Sequence, residues 1–229
     1  MPLSIVLLSG GMDSCVTAGI ASKTSRLACL HVTYGQRTKA KERKAFEDIA
    51  SHYGAAYTLI LDMPHFATIG GSSLTDLALP VRTTGIDETN IPDTYVPFRN
   101  GNLLAVAVTW AEQLHARYIY IGVNEMDSSG YPDCSASFIR AFSKAANTGT
   151  KPETHIIIKT PLIKLNKCQI VSKGMSLNVP FEKTWSCYQN EDVACGQCDS
   201  CRLRLKGFRE AGFADPIPYH NLLKEKNVE

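Results

Sequence analysis

The sequence predicts an α/β protein: an open, doubly wound parallel sheet with a small four-cysteine module at its C-terminal end. Three observations carry that prediction. The apolar run LSIVLL at residues 3–8 leads straight into a glycine pair and a helical pattern, as a strand buried on both faces does when it feeds a crossover helix. Short apolar runs then alternate with helical periods as far as residue 161, and crossovers of that kind are right-handed and make the strands parallel. After Pro180 the composition shifts to Cys, Trp and Gly, and four of the eight cysteines fall between positions 187 and 201. The expected division is therefore residues 1–180 for the sheet domain and 181–229 for a metal-binding module.

Each element has a local reason. After the first strand, MDSCVTAGIASKT has helical character; RLACLHVTY is the next strand, and RTKAKERKAFEDIASHY is an exposed, charged helix ending at Gly54. AAYTLILDM is a third strand, halted by Pro64. From Pro64 to Pro97 the pattern breaks into Gly, Thr, Asp and Pro, a stretch too long for an ordinary connection and expected to be a functional loop or lid. Order resumes with the amphipathic helix NGNLLAVAVTWAEQLHA, the strand RYIYIGV, the helix SASFIRAFSKAAN and the strand HIIIKTP, and disorder is expected at the tail KEKNVE. Polar loops follow three of the strands, at residues 9–14, 34–37 and 124–134. In a parallel sheet these share one edge, the edge at which such sheets bind ligands.

Composition excludes several classes. At 229 residues the chain holds one sizeable domain and an appendage, and 44% apolar with 20% charged residues is an ordinary globular balance. No apolar stretch approaches the roughly 20 residues that span a bilayer, and MPLSIVLL lacks the basic start and cleavage site of a secretory signal. A cytoplasmic protein with no membrane partner is expected. The net charge of +2 does not by itself mark a nucleic-acid partner.

The string LSGGMDS at residues 8–14 is the sharpest chemical signal. A strand that passes through a glycine pair into a helix presents backbone N–H groups beside the positive end of the helix dipole, a geometry that holds phosphate oxygens. Gly10 and Gly11 let the backbone turn and approach an anion, and Ser9 and Ser14 add hydroxyls. Asp13 has two readings, a helix cap or a ligand for the Mg²⁺ that travels with phosphates. Neither G-x-x-x-x-G-K-[ST] nor G-x-G-x-x-G is present at this corner, which disfavours γ-phosphate transfer and dinucleotide binding.

The second signal is CYQNEDVACGQCDSC, in which Cys187, Cys195, Cys198 and Cys201 are spaced C-x7-C-x2-C-x2-C. Four thiolates suit one structural zinc per chain, because no position remains for a reactive water. An iron–sulfur cluster and redox or sulfur-transfer cysteines are the alternatives. Trp185 is expected to pack this module, and Cys134 to be a small packing residue.

The loop resembles the pyrophosphate-binding loop of the ATP-pyrophosphatase superfamily, whose members split ATP between the α- and β-phosphates and so activate a substrate oxygen. That resemblance implies a Rossmann-like, adenine nucleotide alpha hydrolase-like fold over residues 1–180, with Leu8, Ser9, Gly10, Gly11, Met12, Asp13 and Ser14 around the pyrophosphate of a MgATP. SSGYPDCSASFIRAF and CGQCDSCRLRLKGF, with YGQR, SSLTD, RNGNLL, GVN and TWSCY, resemble the 7-cyano-7-deazaguanine synthase family from about residue 3 to residue 213. The likeness implies a ligase that takes 7-carboxy-7-deazaguanine, ATP and ammonia through an adenylated carboxylate, an amide and an adenylated amide to a nitrile, a queuosine precursor, and it implies a homodimer. Two positions depart from the family pattern: Phe98 stands where Gly is expected before Arg99, and Thr38 where His is expected after YGQR.

Under this reading Asp13, Ser14 and Arg99 form the catalytic group. Asp133 is expected to accept the guanine-like edge of the substrate, unless it caps the helix beginning near Ser135; Tyr131 is expected to stack on the purine, and Arg99 to fork onto a phosphate or the substrate carboxylate. Arg37 has an electropositive rim as its functional reading, beside lysines on a solvated helix face, and Lys164 and Lys167 are candidates for the pyrophosphate. The rival readings are a tRNA-modifying enzyme of the same superfamily and a zinc-ribbon nucleic-acid-binding module. Either needs a basic RNA- or DNA-facing surface.

Overall fold

A computed structural model describes residues 1–83, 91–126 and 130–220. Residues 84–90 of the long loop, residues 127–129, which include the start of SSGYPDC, and the tail KEKNVE lie outside the described residues. Five strands, β1 (Leu3–Leu7), β2 (Arg26–Thr33), β3 (Tyr57–Asp62), β4 (Tyr118–Tyr120) and β5 (Ile157–Lys159), form one sheet in the order β3-β2-β1-β4-β5. All four pairings are parallel, with Val6 opposite Cys29 on one side and Tyr120 on the other. The expected doubly wound sheet is thus present, and its winding reverses between β1 and β4. That reversal opens a crevice at the carboxyl ends of the two strands.

Alternation along β1 divides the core. Val6 and Leu8 pack with α1 (Met12–Ser22), α2 (Lys39–His52) and α6 (Lys167–Ser176) through Val16, Phe46 and Ile170. Ile5 and Leu7 face α4 (Arg99–Gln113) and α5 (Ala136–Thr148) through Leu104, Ala107 and Ile139. The sheet is covered on both sides, which is why the central strands read as unbroken apolar runs. The long loop after β3 is not wholly irregular: Pro64 opens the short helix α3 (His65–Ile69), and Gly70 at φ 75° ends it.

The boundary expected at residue 180 separates the chain in sequence but not in packing. Phe181 and Phe208, the latter on α7 (Asp199–Glu210), belong to the same buried cluster as Val6 and Cys15. Arg204 of α7 is the hub. Its guanidinium, 1% exposed, donates to both carboxylate oxygens of Asp215 at 2.8 and 2.9 Å, to the Thr184 hydroxyl at 2.6 Å and to the Phe181 carbonyl at 3.3 Å. Tyr219 donates a further hydrogen bond to Asp215 at 2.7 Å. The pair ties α7 to residues 181–184 and 215–219, and Phe181 and Phe208 dock this segment on the core of the sheet domain.

Removing one member of such a pair leaves a buried charge without its counter-ion. Asp215→Ala is expected to destabilise the protein by about 3–5 kcal/mol, measured by urea unfolding.

Candidate active site

At the end of β1 the chain turns through Gly10, at φ 92°, where a Cβ would lie 2.6 Å from the Glu42 carbonyl oxygen. No other residue fits there. Gly11 is the N-cap of α1 in extended conformation and supplies no side-chain cap, so the amides of the first turn are left for a ligand. Asp13 does not cap the helix: it stands inside the first turn, its Oδ2 accepts from Lys167 Nζ at 2.5 Å, and its buried Oδ1 has no hydrogen-bond partner. The hydroxyl of Ser14 donates to the Gly11 carbonyl at 2.9 Å and lies 3.1 Å from that of Ser9, which accepts from Gly11 N–H at 3.2 Å. Gly122, after β4, lets that strand end pass close to α1, for a Cβ there would lie 3.1 Å from the Asp13 carbonyl.

A cavity of about 300 Å³ lies in the crevice. The loop residues Leu8, Ser9, Gly11, Met12, Asp13 and Ser14 form one side, with Lys167 beside them. Tyr34, Arg99, Asn100 and Tyr131 form a second side, and Trp185, Tyr188, Asp199 and Ser200 of the C-terminal segment complete the enclosure. Gly10 does not line it. That residue acts through backbone shape alone.

Arg99, at the start of α4, donates to the Tyr34 hydroxyl at 2.9 Å and lies 5.2 Å from the centre of that ring, a cation–π placement. Burial pushes the Tyr34 phenol up to about 12, even with the guanidinium pulling the other way, so the hydroxyl stays protonated. Tyr131 also borders the cavity; its hydroxyl is 2.7 Å from that of Thr94 and its ring is 5.3 Å from that of Tyr95. Glu42 reaches the cavity from α2, but its two oxygens accept from Thr38 at 2.8 Å and Gln36 at 3.1 Å. Burial raises its pKa, and those two donors oppose the rise.

Asp133 requires a correction. The residue is 3% exposed and does not border the cavity; Oδ2 accepts from the Asn100 amide at 2.8 Å and Oδ1 from the Asn100 side chain at 3.3 Å. It does not cap α5, whose N-cap is Ser135, accepting from Phe138 N–H at 3.1 Å. The carboxylate instead satisfies the open amide of the first turn of α4, one residue after Arg99. Arg37 is corrected too. Its guanidinium donates to the carbonyls of Ser73, Asp76 and Leu79 and pins the SSLTD stretch, rather than lining an electropositive rim. Of the two candidate lysines, Lys167 reaches the cavity, whereas Lys164 is exposed and does not.

The departures from the family pattern have physical accounts. Phe98 adopts the left-handed conformation, φ 55°, that ordinarily selects glycine, at a cost of roughly 1–2 kcal/mol. Its ring lies over Gly101, where a Cβ would sit 2.3 Å from a ring carbon, and meets Phe138 edge-on at 5.6 Å. Thr38, 1% exposed, shares its hydroxyl between Glu42 at 2.8 Å and the Cys187 carbonyl at 3.2 Å.

The four sulfurs of Cys187, Cys195, Cys198 and Cys201 all lie within 4.8 Å of one another, close to the edge of about 3.8 Å that a tetrahedron with 2.3 Å metal–sulfur bonds requires. Amides of Gln189, Asn190 and Cys195 donate to Cys187 Sγ, and those of Gln197 and Cys198 to Cys195 Sγ, at 3.3–3.4 Å. Such donors stabilise thiolates, so the cluster fits a metal ion such as zinc. Cys15 and Cys29 differ: burial pushes their thiols up to about 12, which leaves these two inert. Trp185 packs the cluster, as expected, and its amide also donates to the Gly10 carbonyl at 2.9 Å, joining the metal segment to the first loop. Among the described residues no helix is long and apolar enough to cross a membrane.

The sequence reading passed over Tyr34, Glu42, Tyr188 and Asp199 as cavity residues. Asp199 carried a local signal as the charged residue between two ligand cysteines, and Tyr34 and Tyr188 stand in the YGQR and TWSCY stretches. For the metal, Cys198→Ser is expected to abolish stoichiometric binding by elemental analysis and to raise hydrogen exchange across residues 185–215; tight binding with unchanged exchange would contradict the geometry.

Residues 3–212 match the family model described as "Queuosine biosynthesis protein QueC". The chain is 54% identical over 217 residues to a "7-cyano-7-deazaguanine synthase" of Chloroherpeton thalassium, covering 94% of this chain and 96% of that one. It is 56% identical over 217 residues to one of Nitratiruptor sp., with 94% and 98% covered, and 51% identical over 217 residues to one of Methanospirillum hungatei, with 94% and 99% covered. With the glycine corner, the cavity and the four-cysteine cluster all falling inside the matched span, the chain belongs to the QueC family of queuosine biosynthesis proteins.

Proposed function

We propose that this protein is an ATP-dependent ligase that converts 7-carboxy-7-deazaguanine and ammonia into 7-cyano-7-deazaguanine, in the cytoplasm, as a homodimer acting on small molecules and not on nucleic acid. The observation that carries the reading is the corner of β1 and α1: uncapped first-turn amides beside the Asp13 carboxylate, one oxygen of which is unpartnered and the other held by Lys167. The names of the relatives support the product.

The chemistry requires two oxygen activations at one site. The substrate carboxylate attacks the α-phosphorus of ATP and expels pyrophosphate; ammonia then adds to the acyl carbon and AMP leaves, giving the amide. The amide oxygen attacks a second ATP in the same way, and loss of AMP and of both protons on the nitrogen leaves the nitrile. The first-turn amides and the Ser9 and Ser14 hydroxyls are placed for the departing pyrophosphate. Asp13 Oδ1 would hold the Mg²⁺ that accompanies ATP, and the ion would supply positive charge against the phosphates. Lys167, 2.5 Å from Asp13, shares that charge balance. Arg99, held by Tyr34, is placed to orient the substrate carboxylate or the α-phosphate, and Tyr131 to stack on the purine. Asp133 contributes at one remove by fixing Asn100 and thus the start of α4. Cys187, Cys195, Cys198 and Cys201 would hold one structural zinc, which would fix the C-terminal wall against the loop.

Incubation with 7-carboxy-7-deazaguanine, MgATP and ammonium is expected to yield two AMP and two pyrophosphate per nitrile by mass spectrometry. ADP and phosphate without AMP would refute α,β-cleavage. Asp13→Asn is expected to slow pyrophosphate release by about 100-fold or more while leaving urea stability unchanged.

A further inference from the structure

Among the described residues, five buried side-chain polar atoms lack a hydrogen-bond partner, and two of them are carboxylate oxygens of residues that border the same cavity: Asp13 Oδ1 and Asp199 Oδ1. An unmet buried carboxylate oxygen is costly, and it persists where a ligand supplies the donor. Asp13 is accounted for by the phosphate loop. Asp199 belongs to a different neighbourhood, at the first turn of α7 between Cys198 and Cys201.

That neighbourhood is aromatic on the cavity side, while Arg82, Arg202 and Asp93 lie near enough to Asp199 for their charges to act on its half-buried carboxyl group. Tyr131 and Tyr188 border the cavity with Asp199, and Arg99 stands among them. Burial raises the Tyr131 phenol, and Asp199 lies near enough for its charge to add to the effect. Flat rings suit a planar heterocycle, and a carboxylate among them suits an edge with two adjacent N–H donors. The other acidic candidates are spoken for: Asp133 is outside the cavity on Asn100, and Glu42 accepts from Thr38 and Gln36.

We infer that Asp199 reads the guanine-type edge of the substrate, its carboxylate accepting from the ring N1–H and the 2-amino group, with Arg99 left for the carboxylate at the opposite edge. The assignment rests on the proposed function and deepens it. It also ties the metal to specificity, since the ligands Cys198 and Cys201 flank the recognising residue and set its position without touching the substrate.

The test is steady-state kinetics of the metal-loaded full chain with 7-carboxy-7-deazaguanine and with the analogue lacking the 2-amino group. The wild type is expected to show a KM about 100-fold higher for the analogue. Asp199→Asn, with metal content verified, is expected to raise the KM for the deazaguanine about 100-fold, to leave the KM for ATP within about 2-fold, and to lose most of the discrimination. Turnover by the wild type combined with an unchanged KM in the variant overturns this inference alone. Absence of AMP-releasing turnover in the wild type overturns the proposed function and the inference with it. Should the variant lose its metal, the wild-type comparison decides, and equal KM values for the two purines overturn the assignment.

Discussion

The structure depends on one steric constraint, the passage of the backbone from β1 into α1 through Gly10. At that point the Glu42 carbonyl lies where a side chain would begin, and the Gly10 carbonyl accepts from the Trp185 amide. The corner is therefore gripped from two directions, by α2 and by the segment that leads into the metal cluster. Because it cannot relax, the open amides of α1 are held as a fixed array, and fixed donors need little rearrangement when charge arrives. Thr38 ties the same parts together again, touching both Glu42 and the Cys187 carbonyl.

The C-terminal segment is better regarded as a wall of the site than as an appended module. Trp185, Tyr188, Asp199 and Ser200 border the cavity, yet none of the sheet strands supplies the order of this segment. That order comes from the cysteine cluster at one end and the Arg204–Asp215 pair at the other. Both interactions join residues close in sequence and anchor them to the first loop and to the Phe181–Phe208 core. A buried ion pair adds little net stability over an apolar substitute, but it holds a single arrangement because the alternatives strand a charge.

Local strain sits beside the same cavity. Phe98 holds a left-handed conformation immediately before Arg99, and the aromatic contacts with Phe138 and the flat face of Gly101 offset part of the cost. Asp133 completes the arrangement by satisfying the Asn100 amide. Arg99 thus enters the cavity from a helix start fixed on both sides.

How much of this was legible in the sequence follows from the range of the interactions. The parallel doubly wound sheet was legible, because buried strands must be apolar and the helices between them must be periodic. The phosphate corner and the cysteine cluster were legible as well, since their residues are neighbours in the chain and their spacing is their chemistry. What only the tertiary structure decided is which polar groups are already spoken for. Asp133 looked free in YPDC until α4 brought Asn100 against it, and Arg37 looked free in YGQR until the SSLTD carbonyls closed around it. Asp199 was not read in the sequence at all, and only the fold turns it to the cavity with an oxygen unmet. Hydrogen-bond capacity is settled by partners from distant segments, and no local pattern records them.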